Sequence, residues 1–320
     1  MSDEAEGTDT PRSPWPSLGE LAIAALALQA VTGAVMAFAY QPTPDHAYAS
    51  TYAIVHLMNY GWLVRTIHSW GAFVLTAIVA AHAFRAFLAA AHKHPGERTW
   101  VLGALSGLTA VALGFAGRLL PWDQTAYWST EEALSLLRQL PYAGGTIARA
   151  LIGGDALGAT TLTRFHAAHV TLLPAALAGL LVAHVWSARS TRRSADAIPT
   201  ATVARRAAML RAATATASLL CLYAVLAIVR PVPLELVADP AVAPAQTGPA
   251  LPFLLQYGLG RYLPDAVAAT VPVALVALFI AVPFIDRGPS RAPRDRIAAI
   301  AIGSVGAAAV IAFVVLGALR

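Results

Sequence analysis

Residues 59–85 read NYGWLVRTIHSWGAFVLTAIVAAHAFR, an apolar run in which His68 and His82 stand fourteen positions apart and the only charged residues, Arg65 and Arg85, lie outside that pair. At a rise of about 1.5 Å per residue, fourteen residues advance ~21 Å along a helix axis. Fourteen residues also make nearly four whole turns, so both side chains point the same way. A second apolar stretch carries His169 and His184, fifteen apart, or ~22 Å of helix. Two such helices packed side by side would face each other with imidazoles at two matching depths. That is the geometry for two bis-imidazole metal centres stacked across a membrane, and two cofactors so placed would form a wire.

The rest of the chain supplies the membrane. Its 320 residues are 58% hydrophobic and 12% charged, with a mean hydropathy of +0.62, beyond what a soluble domain carries. A hydrocarbon core about 30 Å thick needs roughly 20 apolar residues per helix. Seven stretches qualify, at about 18–40, 66–91, 99–120, 166–188, 208–230, 265–285 and 297–319. The expected fold is an all-α membrane protein of seven transmembrane helices, with loops where Pro, Gly and charge collect. Four parts are expected: an acidic, proline-punctuated tail (1–17), a four-helix unit (18–190), a basic linker (191–206) and a three-helix unit (207–320). The tail lacks the basic start and small-residue cleavage site of a secretory signal.

Basic residues set the expected orientation. With the N-terminus cytoplasmic, the inner loops carry Lys93 and Arg98, then Arg189, Arg192, Arg193, Arg205 and Arg206, then Arg287, Arg291, Arg294 and Arg296. The outer loops are longer, richer in Asp and Glu and poorer in Lys and Arg, as the positive-inside rule requires. The net charge of +5 therefore reports topology, and no aromatic-interleaved basic patch argues for nucleic acid. One cysteine, Cys221, excludes both a disulfide framework and a CxxCH attachment in this chain. Any haem would be held non-covalently.

A single intramembrane histidine is often no more than a helix–helix hydrogen-bonding residue. Four in two matched pairs demand more, because ionisable groups at membrane depth are costly and usually functional. His166, three before His169, competes for the second pair, but its eighteen-residue separation from His184 is ~27 Å of helix and mismatches the first pair by about 6 Å. His166 is read as pocket-lining or interfacial, and His46, His56, His92 and His94 as solvated loop or helix-end residues. Glycines keep the same step: Gly19 and Gly33, and Gly103 and Gly117, are each fourteen apart. Glycine inside a helix costs up to about 1 kcal/mol relative to alanine. Small-residue packing of membrane helices would explain one pair, whereas two pairs in step with the histidines suggest flat macrocycles lying against bare backbone at both depths. A zinc or copper site would not need that clearance.

NYGWLVRTIHSW (59–70), AHAFR (81–85), TW (99–100), LPWDQTAYW (120–128) and TLTRFHAAH with LLP (161–174) resemble the cytochrome b of quinol-oxidising bc and b-f complexes. The resemblance runs from Gly19 to His184 and more weakly onward. LPWDQ, the fifteen-residue spacing and seven rather than eight helices look closer to the chloroplast-type version, here with its two separate subunits fused. The resemblance implies that the first four helices form a di-haem bundle, with His68 and His169 on the outer haem iron and His82 and His184 on the inner one. It also implies that Arg65, Arg85 and Arg164 bind haem propionates. Chemically this is sensible, since a guanidinium stays protonated and offers a fork to a carboxylate. Helix-end arginines snorkelling to the interface are the alternative.

The family oxidises quinol near the outer haem, between LPWDQ and a Pro-Glu-Trp-Tyr motif. That assigns Trp122, Asp123 and Pro249 to an outer quinol site. The corresponding stretch here is PALPFLLQYGLGRYLPD (249–265), in which Ala250 stands at the glutamate position. Quinol oxidation releases protons, and a carboxylate within hydrogen-bond reach is their natural acceptor; alanine cannot serve. Asp123, Glu131, Glu132, Glu235 and Asp239 are candidate substitutes. An inner quinone pocket would lie by His82, His184, Arg85 and the basic 189–211 region, with His92 and His94 as proton carriers.

Three functions are compatible with these residues. The first is the di-haem b subunit of a quinol-oxidising complex, a redox subunit rather than a complete enzyme. The second is a non-bifurcating di-haem conduit in another quinone-linked complex, which Ala250 favours. The third is a non-redox metal transporter. With no cysteine–histidine cluster for an iron–sulfur centre, the first requires a Rieske protein or c-type cytochrome partner alongside membrane quinone. The family implies a homodimer, and a bacterial plasma membrane is the expected location.

Overall fold

The computed structural model describes residues 15–193, 201–244 and 253–319. Among them, seven helices are long and apolar enough to span a membrane. The spans begin with α1 (Leu18–Ala37), α3 (Gly61–Leu88) and α4 (Glu97–Arg118). The fourth is composite: α7 (Ala159–Ala167) and α8 (Leu173–Arg193) are joined through a π turn at Ala168–Leu172. Spans five to seven are α9 (Ala201–Val229), α11 (Asp265–Ile285) and α12 (Ile297–Ala318).

Inside hydrocarbon no water competes for backbone groups, so each segment closes its hydrogen bonds within its own helix. Association then rests on close packing rather than on the hydrophobic effect. Side chains of mixed size supply it: Ala25 of α1, Leu75 of α3, and Leu219 and Tyr223 of α9 make one buried cluster. In the bundle, α1 lies along α3 and α4 along α8, while α9 covers α1 and α3. The C-terminal spans lie on the bundle and on the short helix α10 (Leu254–Leu259) more than on each other: α11 meets α4 and α12 meets α10. Close backbone approach holds α10 to α12. A Cβ on Gly258 would meet the carbonyl oxygen of Phe313 at 2.1 Å, and one on Gly317 that of Leu254 at 2.2 Å.

The loops opposite the basic ends are not irregular. They contain α2 (Pro44–His56), α5 (Gln124–Arg138) and α6 (Gly144–Ile152). α2 starts with proline at its first helical position, where the missing N–H costs nothing. α5 starts at Asp123, whose carboxylate accepts from the Ala126 N–H at 2.8 Å, a standard N-cap. These helices share a buried core with the adjoining ends of α4 and α7. Leu119, Trp122, Tyr127, Leu134, Ile152, Leu162 and Phe165 are buried together, at roughly 1.5–3 kcal/mol for each large side chain removed from water.

The opposite end is latched electrostatically. Asp286, after α11, accepts Lys93 Nζ at 2.7 Å, His92 Nε2–H at 3.0 Å, and Arg296 Nη2–H at 2.8 Å. Arg296 also donates to the carbonyls of Phe87 and Leu88, filling acceptors left open where α3 ends, and Lys93 donates to Gly288 O at 2.7 Å. Partial burial alone would raise the Asp286 carboxyl, but the bonds from Lys93, Arg296 and His92 outweigh it and hold the group at about 2. Burial, joined by the positive charges of Arg296 and Lys93, holds His92 below its ordinary range against the pull of Asp286. His92 is fully buried, stacked on Phe87 and edge-on to Trp100. Its expected solvated role is therefore corrected: the apolar Phe87–Trp100 wall and Asp286 draw the ring inward. His94, with its side chain 89% exposed, is solvent-facing as expected.

Candidate functional site

His68 and His82 project from α3; His169 sits in the π turn and His184 in α8. They meet as two pairs. The ring centroids of His68 and His169 are 6.0 Å apart and those of His82 and His184 are 6.4 Å apart, each pair at an interplanar angle of 80°. One metal taking a ring nitrogen from both sides at about 2.0–2.1 Å requires centroids about 6.3 Å apart. Both pairs fit that demand, and two neutral imidazoles suit iron well.

The π turn explains the unequal spacings. At about 100° per residue, fourteen residues fall ~40° short of four turns and fifteen overshoot by ~60°, so a regular helix would aim His184 away from its partner depth. A π turn takes one extra residue into a single turn. The fifteen-residue step thus becomes equivalent to the fourteen of α3. Its cause is local: Pro174 has no N–H and its ring would strike the carbonyl four residues back, and here the Leu173 N–H reaches Ala168 O, five residues back.

Ring tautomers are set by the other nitrogen. His169 Nδ1–H donates to Leu113 O at 3.0 Å and His184 Nδ1–H to Thr99 O at 2.9 Å, because a carbonyl can only accept. His68 Nδ1 lies 2.9 Å from Thr32 Oγ1, whose own proton is given to Leu28 O at 2.7 Å; that hydroxyl therefore accepts as well. In all three rings Nε2 is left as the bare, ligand-competent nitrogen, the arrangement that orients metal-binding histidines. Gln29 Nε2 adds a bond to His68 O at 3.0 Å. Gln29 and Thr32 were not singled out from sequence, although their place beside Gly33 was a usable signal.

Each of the four glycines lies against one histidine. A Cβ on Gly33 would lie 3.1 Å from His68 Cε1, and one on Gly117 2.6 Å from His169 Cε1. At the other depth a Cβ on Gly19 would lie 3.5 Å from His82 Cε1 and one on Gly103 2.9 Å from His184 Cε1. The bare backbone gives clearance first to the imidazoles.

Of the arginines, Arg65 is buried and donates through Nη1 to Val232 O and Pro233 O at 2.9 and 3.1 Å. Arg164 donates through Nη1 to Ala150 O. Arg85 is exposed in the last turn of α3. Trp122 and Asp123 are buried and receive the 231–239 segment: Ala238 N–H donates to Trp122 O at 3.1 Å and Glu235 N–H to Asp123 Oδ2 at 3.4 Å. Both Asp123 oxygens thus serve the backbone. Glu131 pairs with Arg138 at 2.8 Å. His166 stacks on Tyr40, with ring centroids 5.6 Å apart. Pro249 and Ala250 lie outside the described residues. A cavity of about 490 Å³ opens between α1 and α8, lined by Ile23, Leu26, Val182, Trp186, Arg189 and Ser190 among others. Leu26 lies on the Gly19–Gly33 face of α1 and Leu181 on the His184 side of α8 by helical periodicity, so the cavity opens beside the His82–His184 pair.

Comparisons with known proteins point to one family. Residues 10–192 match the family described as Cytochrome b/b6/petB. Cytochrome b6 of Synechocystis sp. is 38% identical over 167 residues, covering 52% of this chain and 75% of that protein. Cytochrome b6 of Oltmannsiellopsis viridis is 37% identical over 167 residues, covering 52% of this chain and 78% of that protein. A solved structure titled hyperthermophilic respiratory Complex III superposes with a TM-score of 0.82 at 25% identity, covering 95% of this chain and 83% of that one. With half the chain matched, paired imidazoles at two depths and seven spans around them, the chain belongs to the cytochrome b family, as an integral-membrane, b-haem electron-transfer subunit of a quinol-oxidising complex.

Proposed function

We propose that this chain holds two non-covalent b-type haems, one between His68 and His169 and one between His82 and His184, and carries electrons across the membrane between an outer quinol site and an inner quinone site. The observation that carries the reading is the pair of centroid separations, 6.0 and 6.4 Å, each suited to one iron between two rings. When bound, the haem irons supply one-electron redox chemistry. The protein holds the rings: Leu113 O, Thr99 O and Thr32 Oγ1 fix the tautomer of three histidines, and the four glycines keep the helix surfaces clear beside them. Arg65, Arg85 and Arg164 neutralise haem carboxylates; Arg65 and Arg164 keep guanidinium N–H groups beyond the Nη1 bonds already described.

At the outer site, Trp122, Asp123 and Pro249 frame quinol. Asp123 acts by fixing the start of α5 and the 231–239 segment, since its oxygens already serve backbone N–H groups. At the inner site Arg189 and Ser190, towards the C-terminal end of α8, offer donors to a quinone oxygen. The N-terminus is cytoplasmic, following the basic loops. A Rieske protein or c-type cytochrome takes the other electron, and a homodimer follows the family pattern.

Reduced-minus-oxidised difference spectra of the purified complex test this. Two b-haem components titrating separately are expected, with His169→Ala removing one and His184→Ala the other. A single component, or none, overturns the two-haem reading. Ala250, where the family carries glutamate, favours a second reading: a conduit that does not split electron pairs. Oxidant-induced reduction of the b haems with the inner site blocked would exclude it.

A further inference from the structure

Tyr223 of α9 is the largest fully buried side chain among the described residues, packed with Ala25 of α1, Leu75 of α3 and Leu219. A phenyl ring would fill that place equally well, and a hydroxyl buried in apolar surroundings is costly without a partner. Its Oη nevertheless has no hydrogen-bond partner among the described residues, and the same holds for Oε1 of Gln29 on α1. The two orphan oxygens converge on one spot. A Cβ on Gly71 of α3 would strike Gln29 Oε1 and stand 3.5 Å from Tyr223 Oη, so three spans meet there over bare backbone. Glycine weakens a helix interior, and here its missing side chain is what lets both polar ends in. Gly71 is three residues after His68, ~4.5 Å along α3, which puts the spot between the two imidazole pairs and nearer to His68. The other end of the Gln29 amide already serves that histidine: Nε2–H donates to His68 O at 3.0 Å.

We propose that Gln29, Gly71 and Tyr223 form a site for one internal water molecule between α1, α3 and α9, and that Tyr223 acts through it as a positioning residue for the haem held by His68. This rests on the two-haem reading above. The chemistry of the groups sets the direction of each bond. Gln29 Oε1 can only accept, because the amide protons are on Nε2. Tyr223 O–H therefore donates to the water, the water donates to Gln29 Oε1, and Gln29 Nε2–H donates to His68 O. Each link polarises the next, so the amide is held with its positive edge toward the backbone of the ligand histidine. Two neutral oxygens and one O–H suit a buried water, which takes two to four polar partners; they are too few for a metal ion that wants six or more oxygens. A hydroxyl left idle on a ring that only packs is the competing account, and the potential of the neighbouring haem separates the two.

The test uses the purified complex with the full chain and the variants Tyr223→Phe, Gln29→Leu, the two combined, and Gly71→Ala. In redox-induced infrared difference spectra the parental complex is expected to show a water O–H band that shifts in heavy-oxygen water, and Tyr223→Phe and Gly71→Ala are expected to lose it. With both haems retained, Tyr223→Phe should lower the midpoint potential of the haem on His68, because the positive edge beside it is less firmly held, and leave the haem on His82 unmoved. Gln29→Leu should lower it further, and the combined variant no further than Gln29→Leu alone, the non-additivity of groups acting in one chain. No isotope-sensitive band in the parental complex, a band that survives Tyr223→Phe, or additive shifts in the combined variant overturn the inference. So does a Tyr223→Phe protein changed only in thermal stability, the result of an idle hydroxyl. Absence of two b-haem components in the parental complex overturns instead the reading on which it rests.

Discussion

The two histidine-bearing spans reach one geometry by different routes. α3 is uninterrupted from Gly61 to Leu88 and uses a fourteen-residue step, whereas its partner breaks regular winding at Ala168–Leu172, just before Pro174, and uses fifteen. The difference teaches that matching depth is a property of wound backbone, not of residue count: the proline that spoils one turn is compensated by the extra residue. The comparison can be broken most severely by adding a residue to the regular span. An alanine inserted between Leu75 and Thr76 rotates His82 by about 100° relative to His68. Haem content, measured as pyridine haemochrome per chain, is expected to fall by at least half. Deleting Thr171 from the π turn should instead keep both haem sites, at a loss of thermal stability on the order of 3 kcal/mol from the proline clash.

The glycines sharpen the contrast between depths. Gly117→Val places carbon against His169, where even a Cβ would stand at 2.6 Å, and is expected to abolish the outer b-haem component. Gly19→Ala, at 3.5 Å, is an ordinary contact and should leave the difference spectrum intact.

Smaller effects fall on the latch between the two halves of the chain. Asp286→Asn leaves Lys93 and Arg296 buried without their counter-charge, at a cost of about 3–5 kcal/mol, visible as a lower unfolding temperature in detergent. In the parental protein the Asp286 carboxyl is lowered on folding from 3.8 to about 2. Its contribution is therefore present above about pH 4 and disappears as pH falls toward 2, on the order of 2 kcal/mol in all. The Asn variant should show a flatter thermal stability across that interval. Least of all, Thr32→Val removes the hydroxyl from His68 Nδ1 and should move the outer haem's midpoint by tens of millivolts, on the order of second-shell effects, with the inner haem unmoved.

Seven spans and both histidine pairs were legible because long apolar runs and a repeated step survive in any apolar context. Span ends were less so. The second and fourth spans begin at Gly61 and Ala159 rather than near 66 and 166, since GWLVR and ATTLTRF are polar enough to resemble loops although α2 packs on the first and α6 on the second. The helices α2, α5 and α6 were missed as well; Pro44 and Asp123 were their start signals, but a search for twenty-residue apolar runs passes over short helices that bury one face. The Asp286 latch was invisible because its charges are brought together across the fold. Lys93, Asp286 and Arg296 read individually as loop charges, and His92 as one more solvated side chain. The π turn at His169 was hidden too, for its cause is a single proline within an otherwise ordinary apolar run.

The acceptors behind the rings carry an evolutionary consequence. His169 and His184 lean on main-chain oxygens of Leu113 and Thr99, which every residue type possesses, so no codon change at those two positions deletes the acceptor itself. His68 leans on a hydroxyl that one missense mutation can erase. Selection therefore has a tuning screw on the outer centre through Thr32, while the acceptors of the fourth span are sheltered from it.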